Sequence, residues 1–210
     1  MVSGEEQRFH LVAGLGNPGR EYSNTRHNAG FMAVDALAGI MSGKSEEKEI
    51  HGGLLRQIRC RGGIISLVKP VTYMNLSGMT VSSFMRKKGI DAKGLLLVYD
   101  DMDIALGRIR FCIGGGTAGH KGVDSVIKEL GTADFARLRI GIGRKNDNPD
   151  KSGYVLSEFN KCEKELFSKV IDMAAEAVKL SFYRGLQKAM NEYNGRFLGE
   201  SADDNKTNIV

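Results

Sequence analysis

His27, Asp100, Asn17 and Asn75 have the residue types and positions that could carry chemistry. His27 lies in Tyr22-Ser-Asn-Thr-Arg-His-Asn-Ala-Gly30, just beyond the apolar run Leu11-Val-Ala-Gly-Leu15. An imidazole in a Gly/Asn-rich loop at a strand end can be aimed at a ligand by the scaffold beneath it. It can also move a proton near neutral pH. Asp100 closes a second apolar run, Leu95 to Tyr99. A carboxylate on one imidazole nitrogen fixes the tautomer and stabilises the protonated ring, leaving the other nitrogen to activate water. Asn17 follows the first run and Asn75 follows the run that ends near Lys69. Their amides can donate to a carbonyl oxygen as it gains charge. A polar turn with a structural His27 is the competing reading.

Other chemistries fit less well. Gly14-Leu-Gly16 lacks the spacing of a dinucleotide fingerprint, and Gly114 to Gly119 lacks the terminal Lys-Ser/Thr of a P-loop. No Ser or Cys stands in a nucleophile motif, and no CxxC pair supports a zinc site. Asp100, Asp101 and Asp103 together offer hard oxygen ligands for Mg²⁺, or simply cap a turn. His120 either touches a substrate from a helix start or packs beside glycines. His10 and His51 read as ordinary strand or surface residues.

Positioning these groups requires an open α/β scaffold, where ligands sit beyond the carboxyl ends of strands. Strands are expected at Phe9 to Leu15, Leu54 to Arg59, Ile64 to Lys69, Leu95 to Tyr99, Ile109 to Ile113 and Leu138 to Ile142. Arg61-Gly-Gly63 reads as a hairpin turn. Helices are expected from Phe31 to Ile40 with Asn28 as cap, and to Lys88 with Ser77 as cap. Further helices are expected at Val123 to Leu130, Glu163 to Ser181 and Phe182 to Tyr193. Gly43 to Glu49 and residues 143–153 read as surface excursions. The mixture predicts a three-layer α/β/α single domain around a mixed, mostly parallel twisted sheet. That domain should span residues 1–200, with a polar, disordered tail over 201–210.

Composition bounds the rest. A chain of 210 residues can bury a sizeable core as one domain. Three widely spaced cysteines, an odd number, point to a reducing compartment. The polar start, Met1 to Gln7, lacks the apolar run of a signal peptide, so a cytoplasmic location is expected. A net charge of +5 permits a polyanionic partner without requiring one. Arg86-Lys-Lys88 also suits the negative end of a helix dipole.

Six separated blocks, in order, resemble bacterial peptidyl-tRNA hydrolases. They are Gly14-Leu-Gly-Asn-Pro-Gly19, Tyr22-x-x-Thr-Arg-His-Asn-Ala-Gly30, Lys69-Pro-x-Thr-Tyr-Met-Asn-Leu-Ser-Gly78, Asp100-Asp-x-Asp103, Gly114-Gly-Gly-x-x-Gly-His120 and Arg137-Leu-Arg-Ile-Gly-Ile-Gly143. The resemblance implies a monomeric enzyme that cleaves the ester between peptide and tRNA and recycles tRNA from prematurely released peptidyl-tRNAs. It implies His27 as base, Asp100 as its orienting group, and Asn17 and Asn75 on the peptide or reacting carbonyl. It places Met74 in the peptide site, Tyr22 near the tRNA end and Arg139 at a phosphate clamp, while His120 and Lys121 are counted as substrate-binding from their own positions. No cofactor or metal is expected, and neither DNA nor a membrane is an expected partner.

Two positions depart from the family pattern. His120-Lys-Gly122 stands where His-Asn-Gly is usual, and Cys112 stands where many relatives carry a phosphate-clamping Lys. Lysine has no acceptor to replace the amide oxygen. Arg110 and Lys121 are candidates to compensate at the RNA backbone. Lys121 also sustains the alternative of a non-catalytic RNA-binding relative, and a hydrolase for another acyl ester or amide is a third reading. Recognition of tRNA needs a phosphate-facing surface more than a base-reading motif.

Overall fold

A computed structural model describes residues 9–43, 45–61, 63–144 and 150–199. The expectations for Met1 to Gln7 and for the tail from Ser201 fall outside these residues. The strands are β1 (Leu11–Gly14), β2 (Ser45–Ile50), β3 (Gly53–Cys60), β4 (Gly63–Pro70), β5 (Leu95–Asp101), β6 (Ile109–Ile113) and β7 (Ala136–Gly141). The helices are α1 (Ala29–Ile40), α2 (Ser77–Lys88), α3 (Lys121–Leu130), α4 (Lys151–Val155), α5 (Lys161–Arg184) and α6 (Leu186–Tyr193). Among the described residues the strands form one seven-stranded sheet in the order β2-β3-β4-β1-β5-β7-β6. β4, β1, β5 and β7 run parallel, while β2, β3 and β6 are antiparallel to their neighbours.

Alternation along the buried strands divides the apolar residues between two layers. Val12, Leu96, Val98, Leu138 and Ile140 pack with residues of α1, α5 and α6. Leu11, Ala13, Leu95, Leu97 and Tyr99 pack instead with residues of α2 and α3. Helices therefore cover both faces, as expected for a three-layer sheet. The connection leaving β1 enters α1 on one face, and that leaving β4 enters α2 on the other. Such a divergence opens a crevice beyond the carboxyl ends of the central strands.

The first glycine pair sets how closely α1 can approach. A Cβ on Gly30 would meet the carbonyl of Val98 and the backbone of Leu15, and one on Gly14 would meet the carbonyl of Gly30. Backbone therefore packs on backbone at the point where the His27 loop enters α1, and only glycine leaves the space.

Several local expectations are corrected. Asn28 precedes α1, but its side chain does not cap the helix. It accepts from Asn17 N at 2.8 Å and donates to Asn17 O at 3.0 Å, so its hydrogen-bonding capacity is spent across the loop. Ser77 is the first residue of α2 rather than its cap, and its buried hydroxyl has no partner. Ser125 of α3 supplies the missing acceptor, taking the Gly78 N–H at 2.9 Å. Within the stretch read as a polar link, Ser45–Ile50 forms edge strand β2, paired from Ser45 opposite Ile58 to Ile50 opposite Gly53. Its charged run carries no apolar alternation, so the ladder to β3 decides its structure. Within 143–153 lies the start of α4, capped by the Asp150 carboxylate on Gly153 N at 2.8 Å. The last two helices break at Gly185, φ 84°, rather than between Ser181 and Phe182.

At the opposite margin β6 is closed by a side chain. Asn194 accepts from Phe111 N at 2.7 Å and donates to Phe111 O at 3.0 Å, taking the place of a neighbouring strand for one residue.

Candidate active site

The carboxyl ends of β1, β4 and β5 deliver Asn17, Asn75 and Asp100 to one cavity of about 740 Å³. Tyr22, His27, Met74, His120 and Lys121 also line it, as do Val155 and Leu156. All four expected catalytic residues thus meet, as do four of the five expected substrate-binding residues. Arg139 is the exception.

His27 sits in a 3-10 turn, Arg26–Asn28, between β1 and α1. Its Nδ1 lies 2.9 Å from Asp100 Oδ1, and the two residues are only 8% and 2% exposed. The same carboxylate oxygen lies 3.0 Å from Nε2 of His120. His120 is the N-cap of α3, and its Nδ1 accepts the backbone N–H groups of Gly122 and Val123 at 3.1 and 3.3 Å. A ring nitrogen that accepts is unprotonated, so in the neutral ring the proton lies on Nε2 and is donated to Asp100. Asp100 therefore accepts from both rings. His27 Nδ1 carries its proton toward Asp100, and the Nε2 lone pair is left for a water.

Burial alone would raise the Asp100 pKa. The attraction and hydrogen bonds of His27 and His120 outweigh it and hold this carboxyl well below the usual carboxylate range. The histidine rings are tilted at 46° with centroids 4.9 Å apart, and Tyr99 meets His120 edge-on at 5.0 Å. Burial pushes the Tyr99 hydroxyl above its ordinary value, against the pull of Arg137.

Asn17 is oriented from both ends. Its Oδ1 accepts Met74 N at 2.9 Å, which identifies the oxygen and leaves the NH₂ group for a ligand. Asn28 clamps its backbone. Asn75, in the 3-10 turn Met74–Leu76, is exposed at the cavity rim. The glycine loop before His120 is pinned by Arg137, whose buried guanidinium donates to Gly116 O at 2.6 Å and Gly115 O at 2.7 Å.

The Mg²⁺ reading of the three aspartates is not supported, because they diverge. Asp101 accepts Arg139 Nε at 2.6 Å with one oxygen and Asp103 N at 2.8 Å with the other. Asp103 pairs with Arg144 at 2.6 Å. His27, Asp100 and His120 do bring three potential ligand atoms within 4.8 Å of one another. The proton on His120 Nε2 leaves that atom no lone pair for a metal, so the three residues form a hydrogen-bonded cluster centred on the Asp100 carboxylate.

Arg139 lies beside the cavity, on β7, and its Asp101 pairing was not visible in the sequence. Arg110 stands opposite it on β6, and Cys112 stands opposite Arg137. Paired residues share a sheet face, so exposed Arg110 and partly exposed Arg139 offer two cations on one surface. Lys121 reaches the cavity from the first turn of α3 and is exposed. The α4 wall and the clamping role of Asn28 lie outside what the sequence leads one to expect. Asp150, three residues before Gly153, was the available helix-start signal for the wall; Asn28 had no local signal beyond its ability to cap.

A family model described as peptidyl-tRNA hydrolase matches residues 11–202. A peptidyl-tRNA hydrolase of Gloeobacter violaceus is 45% identical over 195 residues, covering 93% of this chain and 98% of the relative. One from Desulfitobacterium hafniense is 43% identical over 184 residues, covering 88% and 98%. The crystal structure of peptidyl-tRNA hydrolase from Acinetobacter baumannii superposes with a TM-score of 0.85 at 35% identity, covering 92% of this chain and 98% of that one.

Proposed function

Because the chain belongs to the peptidyl-tRNA hydrolase family, we propose that it hydrolyses the ester joining a peptide to the terminal ribose of tRNA, returning the tRNA to translation. The observation that carries the mechanism is the His27–Asp100 contact at the cavity, with the Asn17 amide aimed into the same space. His27 Nε2 takes a proton from water as its oxygen attacks the ester carbonyl. Asp100 holds the ring and stabilises the imidazolium that forms. The NH₂ groups of Asn17 and Asn75 are the donors for the developing oxyanion. Collapse of the tetrahedral species breaks the bond to the ribose oxygen, which leaves with the proton returned by His27. The products are a peptide carboxylate and a free tRNA hydroxyl, with no covalent enzyme intermediate.

His120 assists through Asp100, and Met74 and Tyr22 shape the surface met by the peptide and the tRNA end. Arg110, Arg139 and Lys121 are the cations assigned to RNA phosphates. The activity is assigned to a monomer in the cytoplasm, working without a metal. No helix among the described residues is long and apolar enough to cross a membrane.

The test is release of labelled peptide from N-blocked aminoacyl-tRNA. His27→Ala should lower kcat by about 10²–10⁴, the usual worth of a positioned general base, while tRNA affinity is retained. EDTA should change nothing. Turnover by His27→Ala near the parent rate would reject His27 as the base. Absence of turnover in the parent chain, folded and bound to tRNA, would favour RNA binding without catalysis.

A further inference from the structure

We propose that Arg26 is a positioning residue, a buried strut that with Glu163 holds the α4 wall of the cavity in register with His27. This inference rests on the hydrolase reading for its kinetic consequences. Arg26 immediately precedes His27 but does not line the cavity, so it acts through what it holds. It is buried, and its Nη2 donates to Glu163 Oε2 at 2.7 Å. The guanidinium lies over the rings of Tyr154 and Phe159, with its carbon 4.6 and 4.1 Å from their centroids. Its Nε reaches Ser157 Oγ at 3.4 Å, its backbone N–H donates to Ser157 O at 3.1 Å, and Thr25 bridges Glu158.

Every one of these partners lies in α4, in the segment that follows it, or at the start of α5. Lys151, Ser152, Val155 and Leu156 of the same stretch line the cavity together with His27, Met74 and Asn75. Glu163 is itself anchored. Its Oε2 also accepts Asn160 N at 2.9 Å, completing the capping box of α5. The chain of contacts therefore runs from the His27 turn through one guanidinium to the first turn of a long helix, fixing the wall along the way.

Stability alone is a poor reason for this arrangement. Burying the arginine of an ion pair costs desolvation, and well-packed apolar residues often serve a core as well. Arg26 even leaves Nη1 buried without a partner. What arginine adds is a planar cation that can stack on two rings while its edge directs a hydrogen bond. Lysine keeps the charge but has neither the plane nor the fork.

Arg26→Lys, Glu163→Gln and Asn160→Ala separate positioning from general destabilisation. The readouts are kcat and KM on N-blocked aminoacyl-tRNA, the pH profile of kcat, and amide hydrogen exchange over residues 151–157. Arg26→Lys should raise KM by about tenfold with kcat changed less, the pattern of weakened substrate binding rather than of lost chemistry. The pH profile of kcat should not move, because the His27–Asp100 contact persists, while exchange over 151–157 should quicken. Glu163→Gln should show the same changes to a smaller degree and serves if Arg26→Lys does not fold. Asn160→Ala loses a helix cap but keeps the strut, so KM should hold at the parent value.

Parent-like KM and exchange in Arg26→Lys would overturn the proposal, or in Glu163→Gln if Arg26→Lys does not fold. A KM rise in Asn160→Ala as large as that in Arg26→Lys would also overturn it. If the parent chain releases no peptide, the hydrolase reading fails, and the exchange data still decide whether the strut exists.

Discussion

At the scale of single residues, Asp100 does two jobs with one oxygen. It accepts from His27, the proposed base, and from His120, the cap of the neighbouring helix. Asp100→Asn can keep an amide oxygen on both rings but removes the negative charge that would stabilise a His27 imidazolium. A loss of about 10²–10⁴ in kcat/KM is expected, measured by peptide release, with little change in tRNA affinity. The folded-state carboxyl is depressed below its ordinary value of 3.8. Its stabilisation is therefore complete above that value and is lost as pH falls through the lower, folded value. Urea midpoints measured from pH 5 downward should fall more steeply for the parent than for Asp100→Asn. Equal slopes would show that the histidine contacts do not favour the carboxylate.

At the scale of elements, the site exists because α1 starts very close to β1 and β5. Gly30→Ala would force a methyl group into the Val98 carbonyl and the Leu15 backbone. A loss of about 1–3 kcal/mol is expected, the usual cost of overpacking, read as a lower urea midpoint at unchanged slope. Activity should fall too, since the His27 turn enters this helix. An unchanged midpoint would mean that α1 can shift freely. The sequence made much of this level legible, for a physical reason. Buried parallel strands read as apolar runs, and the groups just past their carboxyl ends, Asn17, Asn75 and Asp100, were candidates by topology alone. What stayed hidden depended on long-range partners. Asn28 has the side chain of a cap but finds Asn17. Ser77 yields its capping role to Ser125 on another helix. β2 takes its form from β3, α4 is too short to show a period, and Arg139 reveals its tie to Asp101 only when β5 and β7 pair.

At the scale of the whole molecule, a charge of +5 is modest, so the placement of cations matters more than their sum. Arg110 and Arg139 share one surface, but Arg139 is already paired with Asp101. If Arg110 neutralises a phosphate, plotting log kcat/KM against log salt should give a falling line at subsaturating substrate. Arg110→Ala should make its slope shallower by about 0.7–1. An unchanged slope would remove Arg110 from the RNA interface. The two margins of the sheet bear on a different hazard. Unpaired strand edges are templates for aggregation. β2 carries Glu46, Glu47, Lys48 and Glu49 in sequence, so a second copy would be repelled there. On the other side the Asn194 amide already occupies the Phe111 backbone groups that an incoming strand would need. One flank is guarded by repulsion and the other by occupation, so concentrated protein should resist growth into fibrils through either edge.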